Sequence, residues 1–498
     1  MNPLMSDREI ISTFKYVSRM KQEFMLSELK DYLKEDTPLR QIYYTLKPLI
    51  FDMGIDIKAD GDDFRIVCAL PKKQMILSEG EIKKNELFFE STAVSRKLER
   101  LIEQYVEKKT GKTWDDPQIL EKIRKAIRMQ KASYWNESSS RNISYEKGYS
   151  VLGYLAYQFP VYFIQFQYLL YGMAKDGLLN TRMKILDVGS GPGTVPLAVI
   201  DMYNRLDTHR AEIHSIELFD ENIEAYNFLV PQYAAIKSNV SVEETIRTNV
   251  SELNIEKLPG NIDLMVFSNV LNEMKNMSLE EKAELVKSMA EKLSQDGNII
   301  IIEPADKTNS TELRRLTIML KKMGVRIYSP CTFLWSGECT LENCWSFEQK
   351  EDIKPTRLME KLAECDEPYR YINTDIKYSY AILRKDKLAK HYTDLPAKSK
   401  FARLSQIEKH NKKRINVVCS VMSGDLGDDK YRLFRVCDGT SKKAVYAVIP
   451  SHNLSEDNEA LTKAPYGSII KVFNVLVKYN EANDSYNLLV GKGTVIES

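Results

Sequence analysis

The run Ile185-Leu186-Asp187-Val188-Gly189-Ser190-Gly191-Pro192-Gly193-Thr194 constrains this chain more than any other. An apolar strand ends in an acid, turns through three glycines and opens into a helix at Val195-Pro196-Leu197-Ala198. Glycines let a backbone come close to a ligand, and a helix N-terminus favours that ligand's carboxylate or phosphate. The same succession of apolar strand, turn and helical sequence recurs after residues 213–218, 264–267 and 299–302. That alternation predicts a doubly wound α/β domain with a parallel sheet. A glycine loop alone does not separate dinucleotide enzymes from other nucleoside binders.

The residues beyond the loop narrow the choice. Ile213-His214-Ser215-Ile216-Glu217 sets a second acid at a strand end about 30 residues on, where a carboxylate can accept from ribose hydroxyls. Thr248-Asn249-Val250 comes next, and Phe267-Ser268-Asn269-Val270-Leu271-Asn272-Glu273 follows the fourth strand. The order Asp-x-Gly-x-Gly-x-Gly, with its acid inside the strand end, resembles the first motif of S-adenosylmethionine-dependent methyltransferases. The resemblance implies that Asp187, Gly189, Ser190, Gly191, Gly193, Thr194, Glu217, Asn249 and Val250 hold S-adenosylmethionine. It sets Asn269, Asn272 and Glu273 at the mouth of the pocket as catalytic candidates. Capping is the ordinary role of a polar residue at such positions, and Asn272 and Glu273 suit it equally. No Asn-Pro-Pro-Tyr clamp and no Pro-Cys nucleophile loop follows the fourth strand, so the acceptor atom is not written in the sequence.

At 498 residues, 43% hydrophobic and 28% charged, the chain is globular and long enough for three or four domains. Its 71 Lys and Arg nearly balance 70 Asp and Glu, so any basic surface is local. Residues 1–75 read as a winged helix-turn-helix. Ile10, Phe14 and Val17, then Leu26, Leu29 and Leu33, precede a third helix opened by Thr37-Pro38 and a hairpin turning at Asp60-Gly61-Asp62. Arg40, Gln41, Tyr44 and Lys47 on that third helix suit a nucleic acid, although a protein-docking module reads the same way. Residues 76–180 are helical. Their apolar stretch, 154–173, is broken by Gln158, Pro160, Gln165 and Gln167, amides a membrane span would bury unpartnered. Residues 181–390 form the methyltransferase-like domain with a cysteine-rich metal insertion, and 391–413 a basic linker. Between Arg384 and Arg414, eleven Lys or Arg face three acids, enough to hold the phosphates of an RNA, as solvated linkers also are. Residues 414–498 hold five β-rich runs and one helical stretch near 457–462, the content of an OB-like barrel; an SH3-like barrel is the alternative.

Seven cysteines, an odd number, and charged first residues that lead into no apolar run argue for a reducing, cytoplasmic setting. Cys331, Cys339 and Cys344 are separated by seven and four residues. Thiolates of this kind hold zinc or iron–sulfur clusters, and both need a fourth ligand, for which Cys419 and Cys365 are candidates. The glycine loop, Phe-Ser-Asn-Val-Leu-Asn-Glu, Ile302-Glu303-Pro304, Pro330-Cys331 with its following cysteines, Trp345-Ser346-Phe347 and residues 376–384 together resemble a known family. It is the family of methyltransferase-like proteins associated with the mitochondrial small ribosomal subunit, with their prokaryotic relatives, matched over roughly residues 135–425. The resemblance implies a [4Fe-4S] cluster on Cys331, Cys339, Cys344 and Cys419, with zinc as the alternative. It also implies a monomer acting on small-subunit rRNA, or on the assembling small subunit, without a membrane. Cys spacing differs from the family's usual pattern, no Pro follows Cys339, and Ser346 stands where His is common, departures that keep zinc as the alternative metal. Two functions compete: an rRNA methyltransferase, and a non-catalytic assembly factor that clamps RNA.

Overall fold

The computed structural model describes residues 5–33, 37–68, 72–135, 149–207, 209–237, 239–335, 339, 344–386, 388–390 and 400–498. Its largest sheet contains β1 (Arg182–Val188), β2 (Arg210–Glu217), β3 (Val240–Val242), β4 (Ile262–Ser268), β5 (Leu293–Pro304), β6 (Arg326–Ser329) and β7 (Ile376–Arg384). They lie in the order β3-β2-β1-β4-β5-β7-β6, and only β7 runs against its neighbours. The strand order reverses between β1 and β4, and in such Rossmann-like sheets a crevice opens there at the carboxyl ends of the strands.

Side chains alternate along a strand, so each apolar run feeds two cores. Ile300 and Ile302 join Ile185, Ile213 and the helices α1 (Thr194–Asn204) and α2 (Asp220–Ala234). Ile299 and Ile301 join Leu186, Phe267, α3 (Leu279–Met289) and α4 (Lys307–Lys322) on the opposite face. With both faces covered, all seven residues of β1 are buried, the charged Arg182, Lys184 and Asp187 included. The stretch 154–173 forms two helices, Ser150–Tyr157 and Phe159–Lys175, within the first core, where Gln167 accepts from Arg205. Among the described residues no helix is long and apolar enough to cross a membrane.

Two buried cations begin β1, and the N-terminal unit answers them. Arg182 donates to Phe51 O (3.1 Å) and pairs with Asp56 (3.0 Å), while Lys184 pairs with Asp52 (3.1 Å). Buried charges left alone would be costly, so these contacts lock the unit onto the sheet end opposite the crevice. The unit runs helix Met5–Met20, strand Glu23–Met25, 3-10 segment Leu26–Tyr32, helix Leu39–Ile50, and a hairpin of Ile55–Asp60 with Asp63–Cys68. The second expected helix is thus a 3-10 segment, since seven residues are too few to repay an α-helical nucleus.

The C-terminal strands are β8 (Arg414–Val421), β9 (Tyr431–Cys437), β10 (Val445–Pro450), β11 (Ile469–Asn480) and β12 (Ser485–Leu489). They close a five-stranded barrel in the order β8-β9-β10-β12-β11 and back to β8, with β10 and β12 parallel. The last β-rich run splits, because a turn from Gly491 to Thr494 separates β12 from the edge strand Val495–Glu497. Leu404 and Ile407, read as linker, pack into the barrel core; residues 391–399 of that linker lie outside the described residues.

Candidate functional site

A cavity of about 400 Å³ opens at the carboxyl ends of β1, β2 and β4. Asp187, Gly189, Ser190, Gly191, Thr194, Glu217, Asn249, Val250, Asn269, Asn272 and Glu273 all line it. Gly193 stands behind it as the residue before α1, at φ 96°. Gly189 and Gly191 also have positive φ, 73° and 56°, a backbone region that glycine enters without steric cost. The amides of Gly189 and Ser190 donate to Ile216 O (2.9 Å each), and Gly191 N donates to Glu217 Oε2 (2.7 Å). Glu217 Oε1 accepts from Leu218 and Phe219 amides at 2.8 and 2.9 Å, so one carboxylate joins the glycine loop to the end of β2.

Asp187 has no such partners. Both of its carboxylate oxygens are buried without a hydrogen bond, as are Ser190 Oγ, Asn222 Oδ1, Asn269 Nδ2 and Asn272 Oδ1. Burial, with the Glu217 charge adding to it, pushes the Asp187 carboxyl well above the usual range. Buried polar groups are normally satisfied, so this concentration in one crevice fits a polar ligand that carries a cation for Asp187. Tyr154, whose hydroxyl meets Thr194 Oγ1 at 3.0 Å, and Asn222 also line the crevice and went unread in the sequence. Tyr154 looked like one more aromatic in a buried helix, and only the tertiary placement of that helix brings its hydroxyl to Thr194.

A second cavity, about 520 Å³, lies where the barrel meets the sheet domain. Cys331, Cys339, Cys344 and Cys437 line it. Cys419, expected as the fourth thiol, is elsewhere: it lies in the barrel core with Val417 and Val421. Strand parity explains the difference. On β8 those three residues face inward and Ser420 faces the cavity; on β9 Phe434 and Val436 face inward, leaving Arg435 and Cys437 outside. Ser420 and Cys437 are register partners across the two strands. Cys365 packs against the large core on the other side of the fold and lines neither cavity. Alternation within β9 was the signal that could have selected Cys437. Burial pushes the Cys331 thiol up to about 11, and raises Cys437 and Cys419 as well.

Among the described residues no three His, Cys, Asp or Glu side chains close on one ion-sized point; the four thiols surround the cavity instead. Arg435 Nη2 donates to Cys344 Sγ at 3.6 Å and Nη1 to Trp345 O at 2.9 Å. Arg314, on α4, donates to Ser346 Oγ (3.0 Å), Ser379 Oγ (2.9 Å) and Tyr380 O (2.6 Å). The two cavities are neighbours in sequence as well: residues 272–277 line the first, and Leu279 and Glu280 the second.

Residues 148–426 match the family described as mitochondrial small ribosomal subunit Rsm22. The chain belongs to this family. The Rsm22 match takes in the glycine loop, both cavities' sheet-domain residues and β8, and it stops short of Cys437. Residues 7–60 and 405–498 match the N-terminal and C-terminal domains of a further family described only as of unknown function. No curated protein matches the chain. Solved structures similar to this Rsm22-family chain include a TehB-like S-adenosylmethionine-dependent methyltransferase from Corynebacterium glutamicum. Its identity is 14%, covering 45% of this chain and 88% of that one, at a TM-score of 0.26. A putative class I methyltransferase from Listeria monocytogenes is 9% identical over 62% and 91%, at 0.31. One from Methanococcus maripaludis is 11% identical over 55% and 95%, at 0.27. Scores this low carry no weight beside the strand order itself.

Proposed function

We propose that this Rsm22-family chain binds S-adenosylmethionine and methylates RNA of the small ribosomal subunit during its assembly, and that its four-thiol cavity holds a [4Fe-4S] cluster. The observation that carries the reading is Asp187: an unpartnered, buried carboxylate at the switch point of the sheet, in a crevice of unsatisfied polar atoms. Asp187 would hold the cofactor's ammonium group, Glu217 its ribose, and Asn249 with Val250 its adenine. When bound, S-adenosylmethionine supplies an electrophilic methyl group. Asn269, Asn272 and Glu273 then orient the acceptor at the mouth, and alignment alone supplies much of the rate of such a transfer.

Cys331, Cys339, Cys344 and Cys437 are the proposed cluster ligands. Thiols arranged around a cavity suit a group of several atoms better than a single zinc ion. We read the N-terminal unit as a winged helix from its helix order and terminal hairpin. Lys47 there is spent on Glu243 of the sheet domain (2.7 Å), which leaves Arg40, Gln41 and Tyr44 exposed. The barrel is read as OB-like from its strand order.

A second reading, an RNA-clamping assembly factor without catalysis, is favoured by a groove of about 600 Å³ on the barrel. Lys400, Arg403, His410 and Arg414 line it beside Phe401, a mixture that suits single-stranded RNA. One experiment separates the two: anaerobically purified protein incubated with labelled S-adenosylmethionine and small-subunit RNA. Label in RNA supports the enzyme; salt-sensitive retention of RNA without label supports the clamp; neither sinks both. The family description is mitochondrial, whereas the cysteine content led us to propose the cytoplasm, a choice that cell fractionation tests.

A further inference from the structure

Arg314 and Arg435 present an unusual balance of charge. Arg314 is 4% exposed and Arg435 2%, and neither has a carboxylate in ion-pair contact among the described residues. Each retains an unused donor: Nη1 of Arg314 and Nε of Arg435 are buried without a hydrogen bond. Their remaining partners are neutral hydroxyls and carbonyls, apart from two thiol sulfurs, Cys331 for Arg314 and Cys344 for Arg435. Asp438, beside Cys437, is held by the Leu404 and Thr440 amides at 2.8 and 2.9 Å, and Glu280 and Arg315 stand exposed at the rim, where water screens them. Among the described residues, then, one buried cation on the cavity wall, Arg314, and a second behind its Cys344, Arg435, are unanswered by carboxylates, and such a pair fits an anionic occupant.

The cluster reading above provides one, and this inference rests on it. Four thiolates around an oxidised four-iron core leave two negative charges. We infer that Arg314 and Arg435 are the paired counter-charges of the four-thiol site, one from each half of the molecule, and that together they raise the cluster's reduction potential. Arg314 comes from α4 of the sheet domain and Arg435 from β9 of the barrel, so charge balance is complete only when the halves are joined. Reduction by an external one-electron donor adds a third negative charge to the site. A fixed guanidinium lowers the energy of that state more than that of the oxidised one.

The test uses the full chain, purified without oxygen, as wild type, Arg314→Met, Arg435→Met, Arg435→Lys and the control Arg432→Met. Arg432 is an exposed barrel arginine paired with Asp425 at 3.1 Å. Iron and sulfide are quantified, and the midpoint potential is read by spin resonance during a dithionite titration. The expected result is iron retained, the midpoint moved to lower potential in both Met variants of the buried pair, most of the shift recovered in Arg435→Lys, and no shift in Arg432→Met. Iron lost from Arg435→Met but kept in Arg435→Lys also supports the inference. An unchanged midpoint at full iron overturns it, as does an equal shift in Arg432→Met or iron lost from the Met and Lys variants alike. A wild type without iron removes the cluster reading itself, and the inference with it.

Discussion

Both oxygens of Asp187 are buried without partners, so in the free protein its charge is met by a proton or not at all, and a cationic ligand takes that place on binding. Replacing Asp187 by Asn removes a charged hydrogen-bond acceptor. The change should weaken S-adenosylhomocysteine by about 1.5–3 kcal/mol, roughly 10- to 150-fold, measured by calorimetry. The same change should not harm the unliganded fold. A carboxyl whose pKa is raised by folding stabilises at low pH and loses that contribution as pH rises through the raised value. Melting temperatures of wild type and Asp187→Asn should therefore agree in acid, and the variant should gain the advantage as pH rises from about 4 toward 8. A constant difference across that range would show that Asp187 does not titrate there. This acid was legible in the sequence from its place before the glycines; its lack of partners was not, since that depends on how β2 and β4 flank it.

At the scale of elements, the glycine loop separates two effects that one substitution usually mixes. A Cβ on Gly189 would sit 2.5 Å from Val270 at φ 73°, whereas a Cβ on Gly191 meets nothing within 4 Å. Gly189→Ala should cost about 1–3 kcal/mol of stability in denaturant titrations, and Gly191→Ala about 1, while intruding on the ligand and weakening its binding. Strand parity yields the next prediction. Cys437→Ser should release bound metal, read as lost iron, while Cys419→Ala should keep it and lower the melting temperature through a small void in the barrel core. Equal iron in both variants would remove Cys437 from the ligand set. The strands themselves were readable because alternation is local. In the sequence reading only Cys419 and Cys365 are weighed as the fourth thiol, and Cys437 is taken for a small packing side chain, because strand alternation is not applied to β9.

Across the whole molecule, residues 272–280 join the two cavities, with Met274 at the crevice and Leu279 beside the thiols. Removing the proposed cluster anaerobically should loosen this stretch and weaken S-adenosylhomocysteine several-fold in the same calorimetric assay. Unchanged affinity would mean that each cavity keeps its shape independently. The sequence alone determined the doubly wound sheet, the glycine loop with its two acids, and the five-stranded content of the C-terminal part. Each depends on patterns within about ten residues, where backbone geometry and side-chain period act directly. Only the tertiary structure decided that the outer face of β9 meets the segment after β6, bringing Arg435 to Cys344 across 91 residues of chain. Docking of that kind is set by packing between surfaces far apart in sequence, and no local period encodes it.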